Sequence, residues 1–356
     1  MRLLITGGAG FVGANLAVAL KTRHPDWHLI AFDNLKRRGS ELNLARLRAA
    51  HVAFAHGDVR QPNDLSGLGP LDAVVECSAE PSVLAGIEGG PDYVVNTNLL
   101  GAYHCLELAR REGAQFIFLS TSRVYPVGLL NQVAYVEGPS RFELIPEQDL
   151  PGVSEAGISE EFPLAGARTL YGASKLAAEL LVDEYATAFG LRTVVDRCGV
   201  IAGRWQMGKV DQGVFTYWVL AHRLGRELTY LGYSGSGKQV RDLLHIDDLV
   251  DLLEEQLLDP ERWAGFKGNV GGGAERSLSL LETTELCRKL TGKTVPIHGK
   301  HEARPGDVPI FVSDCSLLYS CTEWRPRRGI QEIFEDINAW IEQNESVVRA
   351  ALTQEN

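Results

Sequence analysis

The chain has 356 residues, of which 45% are hydrophobic and 23% charged, and its formal net charge is -11. That length and balance fit one large α/β domain or a large domain with a smaller partner, with enough apolar residues to bury a sizeable core. The acidic excess excludes wholesale binding to nucleic acid or to an anionic membrane, so an anionic ligand would need a local basic pocket.

From the N-terminus, short apolar or β-branched runs alternate with longer stretches of helical period. The runs are Leu3 to Thr6, His28 to Asp33, Val52 to Ala55, Ala73 to Cys77, Phe116 to Ser120 and Thr193 to Arg197. Helices are predicted over Phe11 to Thr22, Val94 to Glu112 and Tyr171 to Phe189. This alternation predicts an α/β fold with a Rossmann-type doubly wound parallel sheet. After about Cys198 the rhythm loosens, with helices predicted around Asp247 to Leu258, Leu278 to Leu290 and Ile330 to Glu342. The division expected is a Rossmann domain over 1–197 and a smaller C-terminal substrate-binding cap over 198–356, interleaved with the last sheet strands. Within the first part, 127–168 is polar, rich in turn residues and weakly periodic, as an insertion near a substrate would be.

The six cysteines, Cys77, Cys105, Cys198, Cys287, Cys315 and Cys321, include no C-x-x-C pair and read as reduced thiols, which places the protein in the cytoplasm. Met1 leads directly into Arg2-Leu-Leu-Ile-Thr, too short a run for a signal peptide, and no stretch has membrane-spanning length. His298 and His301 form H-x-x-H without further ligand spacing, so they read as surface histidines and no metal is expected.

The first strand runs into Thr6-Gly7-Gly8-Ala9-Gly10-Phe11-Val12-Gly13 and then a helix. Glycines are needed there because the turn demands unusual backbone angles and a bare backbone lets a pyrophosphate reach the helix N-terminus. Gly7, Gly10, Phe11, Val12 and Gly13 are therefore candidate cofactor contacts. The second strand ends at Asp33, beside Asn34, where a carboxylate accepts from both adenosine ribose hydroxyls and disfavours a 2′-phosphate. Lys36, Arg37 and Arg38 follow and could welcome NADP; the ribose acid favours NAD. Asp58, with Val59, lies past the third strand and could accept from the adenine amino group, or be a simple turn residue. Ser78, Ala79 and Glu80 follow the fourth strand, where small residues would line the pyrophosphate and nicotinamide side, with Glu80 toward substrate. Cys198, at the end of the sixth strand, is a further candidate cofactor contact.

The fifth strand ends in Ser120-Thr121-Ser122-Arg123, a row of hydroxyls closed by a cation. Downstream, Tyr171 and Lys175 lie one helical turn apart on one face. A phenol of unperturbed pKa about 10 is a poor base at neutral pH, and an adjacent ammonium stabilises its phenolate.

These residues together resemble the extended short-chain dehydrogenase/reductase superfamily over essentially the whole chain. The resemblance implies that Tyr171 is the catalytic acid/base, that Lys175 also holds the nicotinamide ribose, and that Thr121 orients the substrate hydroxyl. It also implies that Asn98 lies near the active site, and that a homodimer forms through the helices at Val94 to Glu112 and Tyr171 to Phe189. Asn98, and Ser120 in the row of hydroxyls, are further candidate cofactor contacts, as are Tyr171 and Lys175.

In hexose-dehydrating relatives the pair after the threonine is Asp-Glu, and in decarboxylating relatives the second position is Glu. Here the pair is Ser122-Arg123, and an arginine cannot act as a base because it does not lose its proton in proteins. The segments Asp211-Gln212-Gly213 and Gly237-Lys238-Gln239-Val240-Arg241-Asp242 resemble the CDP-paratose 2-epimerase (CDP-tyvelose epimerase) branch. That branch implies a nucleotide-diphosphate sugar as substrate, with Arg241 on the diphosphate and Arg304 approaching the nucleotide from the cap. Glu80, Ser122, Arg123, Gln206, Asp211 and Gln212 are further candidate substrate contacts, and Arg204 and Lys209 are weaker ones. Two positions depart from the branch: Ser122, and Glu76-Cys77-Ser78, where many relatives have His-Leu-Ala. The expectation is an NAD-dependent epimerase inverting C2 of an NDP-hexose. The alternatives are a 4-epimerase, a net NDP-sugar oxidoreductase, and a nonenzymatic NAD-sensing scaffold.

Overall fold

The computed structural model describes residues 1–87, 90–207 and 213–353. Strand and helix alternate as β1 (Arg2–Thr6), α1 (Phe11–Arg23), β2 (His28–Asp33), α2 (Asn43–Ala49), β3 (Ala53–His56), β4 (Ala73–Glu76), α3 (Gly101–Glu112) and β5 (Gln115–Thr121). They continue with α4 (Leu170–Phe189), β6 (Thr193–Cys198), α5 (Ile246–Leu258) and β7 (Phe266–Val270). The seven strands form one sheet in the order β7-β6-β5-β4-β1-β2-β3. Strand β1 pairs parallel with β2 on one side and β4 on the other, and β2–β3 and β4–β5 are parallel too. The expected doubly wound sheet is therefore present, and its order reverses between β1 and β4. Ligands of such sheets bind at that reversal, outside the strand carboxyl ends.

The chain divides into two compact units. The first comprises 1–121, 170–197 and 250–267, and the second 122–169, 198–249 and 268–356. In the first, Leu4, Phe32, Val74, Phe116 and Phe118 from the strands pack with Leu106, Ala109, Ala178 and Val182 from α3 and α4. In the second, Trp218, Leu243, Phe334, Ile337 and Ile341 share a core. Its small sheet joins Val200–Ala202, Val240–His245, Ser277–Ser279 and Ile310–Phe311. Ser279-Leu-Leu-Glu282 closes the helix Leu280–Thr291 with a capping box: Glu282 N donates to Ser279 Oγ at 3.0 Å and Ser279 N to Glu282 Oε2 at 2.9 Å.

Two elements differ from their sequence patterns. The helix predicted from Val94 arrives as Asp92–Val95, a π turn over Asn96–Leu100, and then α3. The weakly periodic 127–168 holds a short helix, Val127–Leu130, and two hairpins, Tyr135–Glu137 with Phe142–Leu144 and Val153–Ser154 with Gly157–Ile158. Strands of two or three residues are too short to show alternation.

Charges buried in the first unit are matched unequally. Arg197 of β6 donates through Nη2 to Glu179 Oε2 of α4 at 2.7 Å, and Ser120 Oγ donates to Glu179 Oε1 at 2.5 Å. Asp196, one residue earlier, is fully buried with a single donor, Gln256 Nε2 at 2.9 Å, and its other oxygen has no hydrogen-bond partner among the described residues. Burial pushes its pKa up from 3.8 to about 7, against the opposing effect of the Gln256 hydrogen bond. Between those values the folded chain holds a proton that the unfolded chain has lost. Asp196's contribution to stability therefore falls as pH rises through that window and is lowest above it. Asp196→Asn is expected to raise Tm clearly above pH 7 and little near pH 4, in thermal unfolding followed by circular dichroism. A gain that does not depend on pH would contradict the assignment.

Candidate active site

The glycine turn after β1 is packed backbone against backbone. Gly7 has φ +60°, in the left-handed region that favours glycine, and a Cβ placed on it would lie 2.8 Å from the Cys77 carbonyl oxygen. A Cβ on Gly13 would lie 2.3 Å from Gly7 O and 2.8 Å from Gly8 Cα. Gly10 N donates to Gly7 O at 2.9 Å, and α1 starts at Phe11 with no side-chain cap and no acid in its first turn. Uncapped N–H groups at the N-terminus of a 13-residue helix, beside a bare glycine turn, suit a pyrophosphate.

Asp33 closes the same end of the sheet. Ala9 N donates to its Oδ2 at 3.1 Å and Leu35 N to its Oδ1 at 2.8 Å. Burial raises its pKa, and the backbone donors pull it back. Asn34 Nδ2 donates to Asp58 Oδ2 at 2.9 Å, so two predicted adenosine-side residues meet. Asp58 also takes Arg60, with Nη2 to Oδ2 at 2.6 Å, and this hydrogen bond holds its carboxyl far below the usual range. Val59 is buried, and its carbonyl meets His104 Nδ1 at 2.8 Å. Lys36 Nζ lies 3.2 Å from the centroid of the Tyr93 ring, so this cation of the 36–38 group already has a partner. Together, the uncapped helix, the bare turn and the carboxylate at the β2 terminus fit NAD.

The catalytic candidates sit where β4, β5 and α4 meet. Thr121 is the last residue of β5 and is buried; Tyr171, half-buried, and Lys175, 2% exposed, lie in the first turns of α4. Lys175 Nζ is 3.5 Å from Glu76 Oε2 at the end of β4 and 4.1 Å from the Phe118 ring centroid. Ser78 Oγ donates to Glu76 Oε1, as does Thr6 Oγ1 at 3.4 Å. Asn98, in the π turn, holds two elements together. Its Nδ2 donates to Ser174 Oγ of α4 at 3.1 Å and to Glu80 O at 3.1 Å, and its Oδ1 accepts from Glu80 N at 2.8 Å. Helical register distorted at such a residue is typical of functional sites.

In the second unit, Arg123 Nη1 donates to Gly306 O at 2.9 Å, inside the turn Arg304-Pro305-Gly306-Asp307. Arg241 Nη2 donates to Asp307 Oδ1 and to Val308 O, each at 2.8 Å. Three predicted substrate residues, Arg123, Arg241 and Arg304, thus converge on one turn that carries a single carboxylate.

Other candidates are engaged elsewhere. The Ser120 hydroxyl serves Glu179, while Gln206 bonds Ile201 O at 2.9 Å and Thr216 Oγ1 at 2.6 Å. Arg204 pairs with Asp247 at 2.7 Å and with Asp336 at 3.4 Å. Ser122 opens a 3-10 turn after β5, Ala79 follows Ser78 beyond β4, and Cys198 is buried at the end of β6. Lys209, Asp211 and Gln212 lie outside the described residues. Sequence reasoning did not anticipate Glu76 as a partner of Lys175, Arg60 as a partner of Asp58, or Ser174 as a partner of Asn98. The Asp58-Val-Arg60 spacing offered a signal for one of them.

Comparison with known proteins gives the class. The model of the NAD dependent epimerase/dehydratase family matches residues 3–265. A CDP-paratose 2-epimerase of Salmonella typhi is 31% identical over 350 residues, covering 94% of this chain and 98% of the relative. A UDP-glucose 4-epimerase of Erwinia amylovora is 29% identical, covering 97% and 98%. Among solved structures, a UDP-glucuronic acid 4-epimerase from Bacillus cereus in complex with UDP-glucuronic acid and NAD superposes with TM-score 0.78 at 22% identity, covering 96% of this chain and 99% of the other, which bears on the fold. The chain belongs to the NAD dependent epimerase/dehydratase family, within the extended short-chain dehydrogenases/reductases, and its cofactor is NAD.

The cradle makes a direct prediction. Gly13→Ala forces a methyl into backbone, a strain of about 1–3 kcal/mol, so NAD affinity measured by calorimetry is expected to fall by about 5- to 150-fold. Affinity equal to that of the unaltered protein would contradict the placement of the pyrophosphate.

Proposed function

We propose that this protein inverts C2 of a nucleotide-diphosphate hexose, by oxidation to a keto-sugar and reduction on the opposite face. NAD, when bound, supplies the hydride acceptor and returns the hydride. Tyr171, as phenolate, takes the proton of the C2 hydroxyl and gives it back to the oxygen of the ketone. Lys175 stabilises that phenolate and holds the nicotinamide ribose, while Thr121 donates a hydrogen bond to the sugar oxygen. Arg241 and Arg304 hold the diphosphate, to which guanidinium groups bind bidentately. Asp307 then acts as a placeholder for that anion on Arg241.

The observation that carries this reading is the sequence Thr121-Ser122-Arg123 set against an intact Tyr171 and Lys175. Proton and hydride chemistry at one carbinol is provided for, and Ser122-Arg123 stands where dehydrating relatives carry the Asp-Glu pair. Similarity to the Salmonella typhi 2-epimerase supports C2, and similarity to the Erwinia amylovora 4-epimerase supports C4 as the second reading. The chain has no helix, among its described residues, long and apolar enough to cross a membrane, and six cysteines without a C-x-x-C pair suit a reducing cytoplasm.

Purified protein incubated with CDP-, UDP- and GDP-hexoses without added NAD is expected to yield a C2 epimer of one of them. A C4 epimer would favour the second reading, and accumulation of NADH would contradict both. Tyr171→Phe is expected to lower turnover by about 10²–10⁴.

We also propose a homodimer built on α3 and α4. Tyr103, Leu180 and Phe189 on these helices are 38%, 60% and 56% exposed, an apolar surface that a second copy would cover. Leu180→Glu is expected to yield a monomer by sedimentation, and an unchanged dimer would contradict this surface.

A further inference from the structure

Among the described residues, Glu76 is the one carboxylate that meets the ammonium of Lys175, and the mechanism above gives it no task. It is 1% exposed at the end of β4, and its two oxygens are used differently. Oε1 accepts from Thr6 and Ser78, while Oε2 faces Lys175 Nζ at 3.5 Å with no hydrogen-bond partner among the described residues. A protonated carboxyl would bring a proton with no acceptor to this place, whereas an anion is served by two hydroxyl donors and an ammonium.

We propose that Glu76 is a positioning residue: it fixes Lys175 and offsets its charge, so that the Glu76–Lys175 pair, and not Lys175 alone, sets how much of Tyr171 is phenolate. This rests on the reading of Tyr171 as the acid/base.

Around Lys175, the neighbouring groups that carry or could carry charge are themselves matched or neutral. From α4, Glu179 lies one turn beyond Lys175 and is paired with Arg197 of β6 at 2.7 Å. Cys105 of α3 and Cys77 after β4 are kept as neutral thiols, because burial pushes both up. Strand β5 contributes the uncharged Phe118 ring and β1 the Thr6 hydroxyl. An unpaired ammonium one helical turn from the phenol would favour the phenolate strongly; adding an anion beside it weakens that pull. The consequence is a tyrosine held closer to its protonated form at neutral pH, able both to accept and to return a proton in each cycle.

The test is a titration of Tyr171 by the ultraviolet absorbance of tyrosinate, taken as the difference between each protein and its Y171F counterpart. E76Q is expected to move the midpoint down by about one pH unit. E76L, which removes the charge without leaving an amide in the core, is expected to do the same, and E76D to restore the original midpoint. A midpoint unmoved in both neutral variants would overturn the proposal. So would loss of the fold in both with E76D folded, which would assign Glu76 to stability alone. Turnover that survives Y171F would instead sink the acid/base reading and leave these midpoints as measured.

Discussion

A lysine ammonium buried to 2% exposure at the carboxyl end of a parallel sheet must be matched, because an unpaired charge there costs several kcal/mol (roughly, from buried-ion penalties). Lys175 is matched by the Glu76 carboxylate and the Phe118 ring, which come from the neighbouring strands β4 and β5. That requirement fixes the start of α4 over the two strand ends, and Tyr171, one turn earlier, is placed there with it. Asn98 secures the same helix through Ser174 while holding the backbone of Glu80. The site is therefore specified by matching buried polar groups as well as by apolar packing.

The second organising feature is how the chain distributes its charge. A net charge of -11 repels an anionic ligand at long range, yet Arg123, Arg241 and Arg304 gather at one turn whose only carboxylate is Asp307. An ion pair between Arg241 and Asp307 keeps the guanidinium oriented, with two of its donors already aligned on the 307–308 segment. On the adenosine side the same economy appears: Asp58 is satisfied by Arg60 and Asn34, and Lys36 by Tyr93.

Much of this was legible in the residues themselves. The short apolar runs, the glycine turn and Asp33 announce the sheet, because each depends on local sequence and backbone geometry. Helices with full turns, such as Ile330–Gln343, lie within a residue or so of their pattern. Strand β7 was missed because Phe266-Lys-Gly-Asn-Val lacks β-branched residues until its end. The hairpins of 135–158 were missed because a two-residue strand has no period. In the site, Tyr171 and Lys175 could be paired by helical spacing alone. Glu76 could not be paired with Lys175, since its partner is 99 positions away and only the sheet brings them together. Ser120 shows the converse: its place in the row of hydroxyls suggested the cofactor, whereas its proton is given to Glu179.

The account depends on a reaction confined to one carbon, with its proton handled by Tyr171. The most direct test is to supply the nucleotide sugar with deuterium bonded to the inverted carbon and to follow the label in ordinary water by mass spectrometry and NMR. Full retention of deuterium at that carbon in the epimerised product is the predicted result. Exchange of the label with solvent would contradict the account and point to an enolising route instead.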